Sequence, residues 1–249
     1  MVSSDFRKDA REKLSGKWGK AALITLAYAV VSAVLSLLQS RTKGAVSTII
    51  SIIVAIIEVP LSFGLIVSFV KLFKAEDVGA FDFLKSGFEN FKKAWGVTLY
   101  TFLKMIWPVV LFIVSTILLS VGTAGALIYS VTSSKNTATL QVLGFISIPL
   151  IIISIIWMIL LSYYYKIAPI IAADNENMTG KEAVEESRRI MKGKRGKLFC
   201  LELSFIGWAF LGALSFGIGF LWIGPYMQTA VISFYKNIST SNTTDTVEE

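Results

Sequence analysis

Apolar residues run through this chain in long blocks that three polar segments separate. Blocks such as Ile49–Ile57, Val109–Leu119 and Ile146–Leu161 carry no charge. Roughly 20 mainly apolar residues cross a bilayer as a helix. The blocks therefore predict an all-α, polytopic transmembrane helical bundle with six spans, at about 20–38, 46–70, 95–119, 141–165, 198–216 and 220–235. Pro60 and Pro108 fall inside the second and third. The sixth is short and contains Pro225, so a tilted or incomplete crossing is left open there.

The polar segments have a different rhythm. In residues 1–19, Phe6, Ala10 and Leu14 recur every four positions among Arg7, Lys8, Arg11 and Lys13. In residues 71–94 the spacing of Phe81, Leu84, Phe88 and Phe91, continuing to Trp95, is again three or four. In residues 173–197, Thr179 and Glu182 form a capping-box pair, Gly193 offers a helix stop, and Ala183, Val184, Ile190 and Met191 share one face. A period near 3.6 with cations on the other face predicts three amphipathic interfacial helices able to lie on an anionic surface. The polar tail 237–249 is expected to be disordered.

The same order recurs: basic helix, Lys/Gly/Trp corner, two spans. The corners read Gly16-Lys17-Trp18-Gly19-Lys20, Lys92-Lys93-Ala94-Trp95-Gly96 and Lys192-Gly193-Lys194-Arg195-Gly196-Lys197. Pro60 precedes Ser68-Phe69-Val70-Lys71 at the offset by which Pro225 precedes Ser233-Phe234-Tyr235-Lys236, and Pro169 is a weaker third member. A threefold internal repeat is the expectation.

Composition agrees with a membrane location. Hydrophobic residues are 54% of the chain and its net charge is +7. A basic chain raises the question of nucleic acid, but these cations flank apolar blocks, as the positive-inside bias requires, and no nucleic-acid partner is expected. Twenty Lys and Arg fall on one side of the six-span arrangement and three, Arg41, Lys43 and Lys135, on the other. That asymmetry predicts a multi-pass cell-membrane protein with both termini in the cytoplasm. The first apolar block is longer than a signal-peptide core and is read as a retained span.

The chain has no histidine and one cysteine. Cys–His metal sites, Ser–His and Cys–His catalytic pairs and internal disulfides are thereby excluded. No cofactor is expected, and Cys200 is read as a small buried packing residue. The acidic residues Asp174, Glu176, Glu182, Glu185 and Glu186 suggest a solvated helix face with Glu185–Arg188 or Glu185–Arg189 pairs rather than a metal site. Glu202, close to Lys197, is read as an interfacial, paired carboxylate. Glu58 and Lys104 are the deepest charges, each roughly 16–18 Å from the cytoplasmic end of its span at 1.5 Å per residue. They form a candidate intramembrane polar pair, structural or functional. Candidate contacts to anionic lipid are Lys17, Trp18, Lys92, Lys93, Trp95, Arg188, Arg189, Lys192, Lys194, Arg195 and Lys197.

Several stretches carry a resemblance. They are Met191-Lys192-Gly193-Lys194, Lys197-Leu198-Phe199, Leu203-Ser204-Phe205-Ile206-Gly207-Trp208, Gly217-Ile218-Gly219, Pro225-Tyr226 and Phe234-Tyr235. At the other end stand Ala10-Arg11-Glu12, Leu14, Gly16 and Trp18-Gly19. The chain resembles a six-span integral membrane family of unknown function that is common in Gram-positive bacteria. That family is distantly similar to the membrane domain preceding some glycerophosphodiester phosphodiesterases. Lys194-Arg195 departs from the family pattern, which has Asn and an aromatic or basic residue there. The resemblance implies a membrane location and no activity, and no phosphodiesterase catalytic domain is expected.

The leading expectation is a non-enzymatic membrane protein. It would organise or sense the bilayer, or bind a membrane partner or a second copy of itself, through its basic cytoplasmic helices. The alternative is a small transporter or lipid-handling protein with its polar site at Glu58 and Lys104. A membrane-embedded enzyme is the third reading.

Overall fold

The structure, a computed structural model, describes residues 2–132 and 138–245. In chain order the helices are α1 (Ser3–Leu14), α2 (Trp18–Ser40), α3 (Ala45–Phe73), α4 (Asp82–Glu89), α5 (Phe91–Thr132), α6 (Ala138–Tyr165), α7 (Ala168–Asp174), α8 (Gly180–Met191), α9 (Arg195–Leu203), α10 (Ile206–Leu214) and α11 (Phe220–Asp245). No strand occurs among the described residues. Five stretches are long and apolar enough to cross a membrane: Trp18–Ser40, Ala45–Phe73, Phe91–Leu127, Val142–Asp174 and Arg195–Leu214. The sixth expected span, on α11, is not among them. From residue 228 onward α11 carries Gln228, Thr229, Ser233, Lys236 and Asn237, which lower its hydropathy. α11 also continues to Asp245, through residues expected to be coil. In that stretch Ile238 is buried, and the Ser239 and Thr240 hydroxyls donate to the Lys236 carbonyl. Lys135, counted on the outer side, lies outside the described residues.

The chain divides into two compact units, Met1–Tyr100 with Tyr165–Glu249, and Thr101–Tyr164. In the first, the apolar stripe of α1 faces the protein. Phe6, Ala10 and Leu14 are 2%, 0% and 1% exposed, and the Phe6 ring meets Phe234 of α11 edge-on at 5.4 Å. The Ser233 hydroxyl of α11 donates to the Asp9 carboxylate of α1. α8 does the same, burying Ala183, Val184, Ile190 and Met191. The expectation that these stripes meet lipid is therefore corrected for α1 and α8. Each large apolar side chain so buried contributes about 1.5–3 kcal/mol, which an exposed stripe would forgo.

α4 also departs from expectation. Its buried face is Phe83, Ser86 and Gly87, whereas Phe81 and Phe88 are 60% and 49% exposed. Phe83 stacks edge-on against Tyr28 at 5.8 Å and shares a cluster with Ala27 and Leu61. Tyr28 is ten residues past Trp18, so α4 docks roughly 15 Å along α2 from the corner. Two glycines make this possible. A Cβ on Gly64 of α3 would overlap the Phe83 carbonyl oxygen and come within 2.7 Å of the Gly87 nitrogen. A Cβ on Gly87 would overlap the Pro60 carbonyl. α3 and α4 thus touch backbone to backbone.

The second unit is a hairpin of α5 and α6 with a seam of small residues. Ser115, Ser147 and Ser154 are fully buried. Their hydroxyls donate to Leu111, Gly144 and Ile151 carbonyls of their own helices, at 2.6, 2.6 and 2.7 Å. A Cβ on Gly144 would lie 3.1 Å from the Gly122 Cα. Close backbone approach at Gly122 and Gly144 brings the pair together, as small residues do within lipid. Outward-facing side chains such as Trp107 and Phe145 are 72% and 74% exposed.

Candidate functional site

The polar groups of the first unit gather where helices turn. Gly16 and Gly193 follow the amphipathic helices α1 and α8 with φ of +73° and +77°. Glycine takes that left-handed conformation at no steric cost. It reverses the chain within a few residues and brings the next cation over another helix. Lys17 donates through Nζ to the Leu72 carbonyl, 3.3 Å away at the end of α3. Lys93 donates to the carbonyls of Ala172, Asn175 and Glu176 around the end of α7, at 3.3, 3.0 and 2.7 Å. Lys194 reaches the Ile238 carbonyl of α11 at 3.5 Å. Leu72 and Ala172 lie in the last turns of α3 and α7, whose carbonyls have no intrahelical partner and sit at the helix's negative end, so Lys17 and Lys93 are doubly stabilising there. These three lysines, candidates for contact with anionic lipid, act as clasps between helices.

One carboxylate collects several elements. Asp174, with a side chain 9% exposed, accepts from Lys236 at 2.6 and 2.7 Å and from the Tyr235 hydroxyl at 3.1 Å. It also pairs with Lys74 at 3.0 Å. It thereby ties the end of α7 to α11 and to the segment after α3. Sequence reasoning placed Asp174 in a solvated acidic face. Its signal was the Lys at a fixed offset after Pro225, which needed a buried acid opposite.

The remaining expected residues fall as follows. Trp18 lies edge-on to Tyr226 at 5.9 Å. Trp95 is half-buried, and its indole nitrogen has no hydrogen-bond partner among the described residues. Lys92, Arg188, Lys192 and Lys197 are exposed, and Arg195 is half-buried. Arg189 pairs with Glu186 at 2.6 Å rather than with Glu185. That hydrogen bond pushes the Arg189 guanidinium above its usual range. The capping box forms as expected: Thr179 Oγ1 accepts from the Glu182 N–H at 3.3 Å, and the Glu182 carboxylate accepts from the Thr179 N–H at 2.8 Å. The latter bond holds the Glu182 carboxyl below the usual range. Glu202 is paired with Lys166. Cys200, expected to be buried, is exposed, because α9 turns Leu198 and Leu201 inward instead. Glu58 and Lys104 lie in different compact units, each on an exposed helix position, and neither forms an ion pair within its own unit among the described residues.

No group of three or more metal-binding side chains occurs among the described residues. Long apolar helices joined by a charged, self-clasped layer define a multi-pass α-helical membrane protein. The chain belongs to the family described as protein of unknown function DUF975, which matches residues 1–242. No curated protein and no solved structure matches it.

Proposed function

We propose that this chain is a non-enzymatic protein of a bacterial cell membrane, crossing it six times with both termini in the cytoplasm. In this reading its charged layer holds the protein against anionic phospholipid of the inner leaflet. The observation that carries the proposal is the inward turn of the α1 and α8 stripes. With their apolar faces occupied, these helices present only their polar sides, so the layer meets a membrane through charge rather than by insertion. Juxtamembrane Lys and Arg each gain on the order of 1 kcal/mol near anionic lipid.

An even number of crossings is supported by the packing of α1 on the second half of α11, which keeps the two ends of the chain together. With five crossings they would be on opposite faces. α10 and α11 then form the last hairpin, turning at Phe216 and Gly217, where Phe216 is 98% exposed. The threefold repeat is supported by the left-handed glycines Gly16 and Gly193 and by one lysine clasp per corner, at Lys17, Lys93 and Lys194.

Topology is tested with single cysteines in a Cys200→Ala background. An impermeant thiol reagent on intact cells should label Lys43→Cys and leave Ser4→Cys unlabelled. Equal labelling would remove the six-crossing arrangement. The lipid reading is tested by thermal unfolding of the full chain in detergent. Added phosphatidylglycerol should raise Tm, as a ligand of the folded state does, phosphatidylcholine should not, and salt should weaken the effect. An equal response to both lipids would refute it.

A further inference from the structure

Each corner of the first unit commits one lysine to a carbonyl, and the charge left over differs between corners. At the first, Lys17 holds Leu72 and Lys20 is paired with Asp77. At the second, Lys93 is engaged and Lys92 is left. The third has four cations in six positions, Lys192, Lys194, Arg195 and Lys197, with no acid among them. Lys194 acts as the clasp. Lys192 and Lys197 are exposed and form no ion pair among the described residues. A Cβ on Gly193 or Gly196 would meet nothing within 4 Å among the described residues, so there is open space at both glycines of the corner. α9 begins here, and its apolar Phe199 and Leu203 are 46% and 45% exposed within the next two turns.

We propose that this corner binds the phosphate of an anionic phospholipid, with Lys192 and Lys197 as its contacts. The inference rests on the charged-layer reading above and narrows it to one place. The occupant is a lipid rather than a soluble phosphate because cations and exposed apolar side chains follow one another along α9. A headgroup and its acyl chain meet both, and a free anion meets only the first. Strong phosphate recognition by lysine is that of a point charge on a flexible stem, so the exposed pair needs no fixed geometry to act.

The test compares two double variants that remove equal charge, Lys192→Gln/Lys197→Gln and Lys8→Gln/Arg11→Gln, in the full chain in detergent. Lys8 and Arg11 are exposed on α1, away from the corner in sequence. Without lipid, each should melt with the wild type. In a phosphatidylglycerol titration followed by Tm, the corner variant should need at least about tenfold more lipid for half its effect, the loss of two juxtamembrane cations. The α1 variant and Lys192→Arg/Lys197→Arg should behave as wild type. Equal weakening in both Gln variants would overturn the corner site while leaving the charged layer standing. No preference for phosphatidylglycerol in the wild type would remove both. Full competition by soluble glycerol 1-phosphate would assign the corner to a free anion and overturn the lipid proposal.

Discussion

Gly64→Ala should lower stability in detergent by about 3 kcal/mol, the upper end of overpacking costs. One methyl group suffices because what it would strike is backbone. The Phe83 carbonyl and the Gly87 nitrogen cannot rotate aside as a side chain can. Relief requires α4 to lift from α3, which exposes Phe83 and opens the cluster with Ala27 and Leu61. Gly87→Ala should match it, since its Cβ would overlap the Pro60 carbonyl. Gly207→Ala is the control. A Cβ there meets nothing within 4 Å, and the change should be neutral or stabilise by roughly 0.5–1 kcal/mol, as alanine does within a helix. Melting of Gly64→Ala at the wild-type temperature would show that α3 and α4 do not meet at this distance.

Asp174→Asn should cost about 2–3 kcal/mol. Breaking a buried ion pair from one side leaves the surviving charge without its partner, typically at 3–5 kcal/mol. The lower figure applies because Lys236 and Lys74 keep 35% and 38% of their side chains in contact with solvent. The Tyr235 hydroxyl can still donate to the amide oxygen, so the loss reads charge rather than shape. Adding Lys236→Met should recover part of it, since the unpaired ammonium is gone. Additive losses, measured by thermal unfolding of both single variants and the double, would mean that Asp174 and Lys236 are not coupled.

What the amino-acid order revealed, and what it withheld, follows from what each residue pattern can distinguish. The Thr179–Glu182 cap and the Gly193 stop are local chemistry, and both form where read. The long apolar helices were legible because nothing but lipid or a large core would cover them. The direction in which α1 and α8 face was not. A stripe such as Phe6, Ala10, Leu14 says that something apolar covers it, and protein and lipid satisfy that alike. On α4 the period pointed to Phe81 and Phe88, because hydrophobicity marks large side chains. The face in contact was chosen by small ones, Ser86 and Gly87, around the single ring of Phe83. The carbonyl contacts of Lys17 and Lys93 were hidden for a related reason. A cation beside a span suits headgroups and helix carbonyls equally, and only the approach of Leu72 or Ala172 from far along the chain separates the two.

The contact between α1 and α11 has a consequence for biosynthesis. The Phe6 ring leaves the ribosome 228 residues ahead of Phe234, its partner. At translation rates of roughly 5–20 residues per second, the intervening chain takes on the order of 10–40 s to appear. Throughout that interval Phe6 lacks the α11 ring that it packs against. A basic amphipathic helix in that position rests on the membrane surface. The expected consequence is an N-terminal helix that lies at the interface in the nascent chain and docks on α11 once Phe234 has been made.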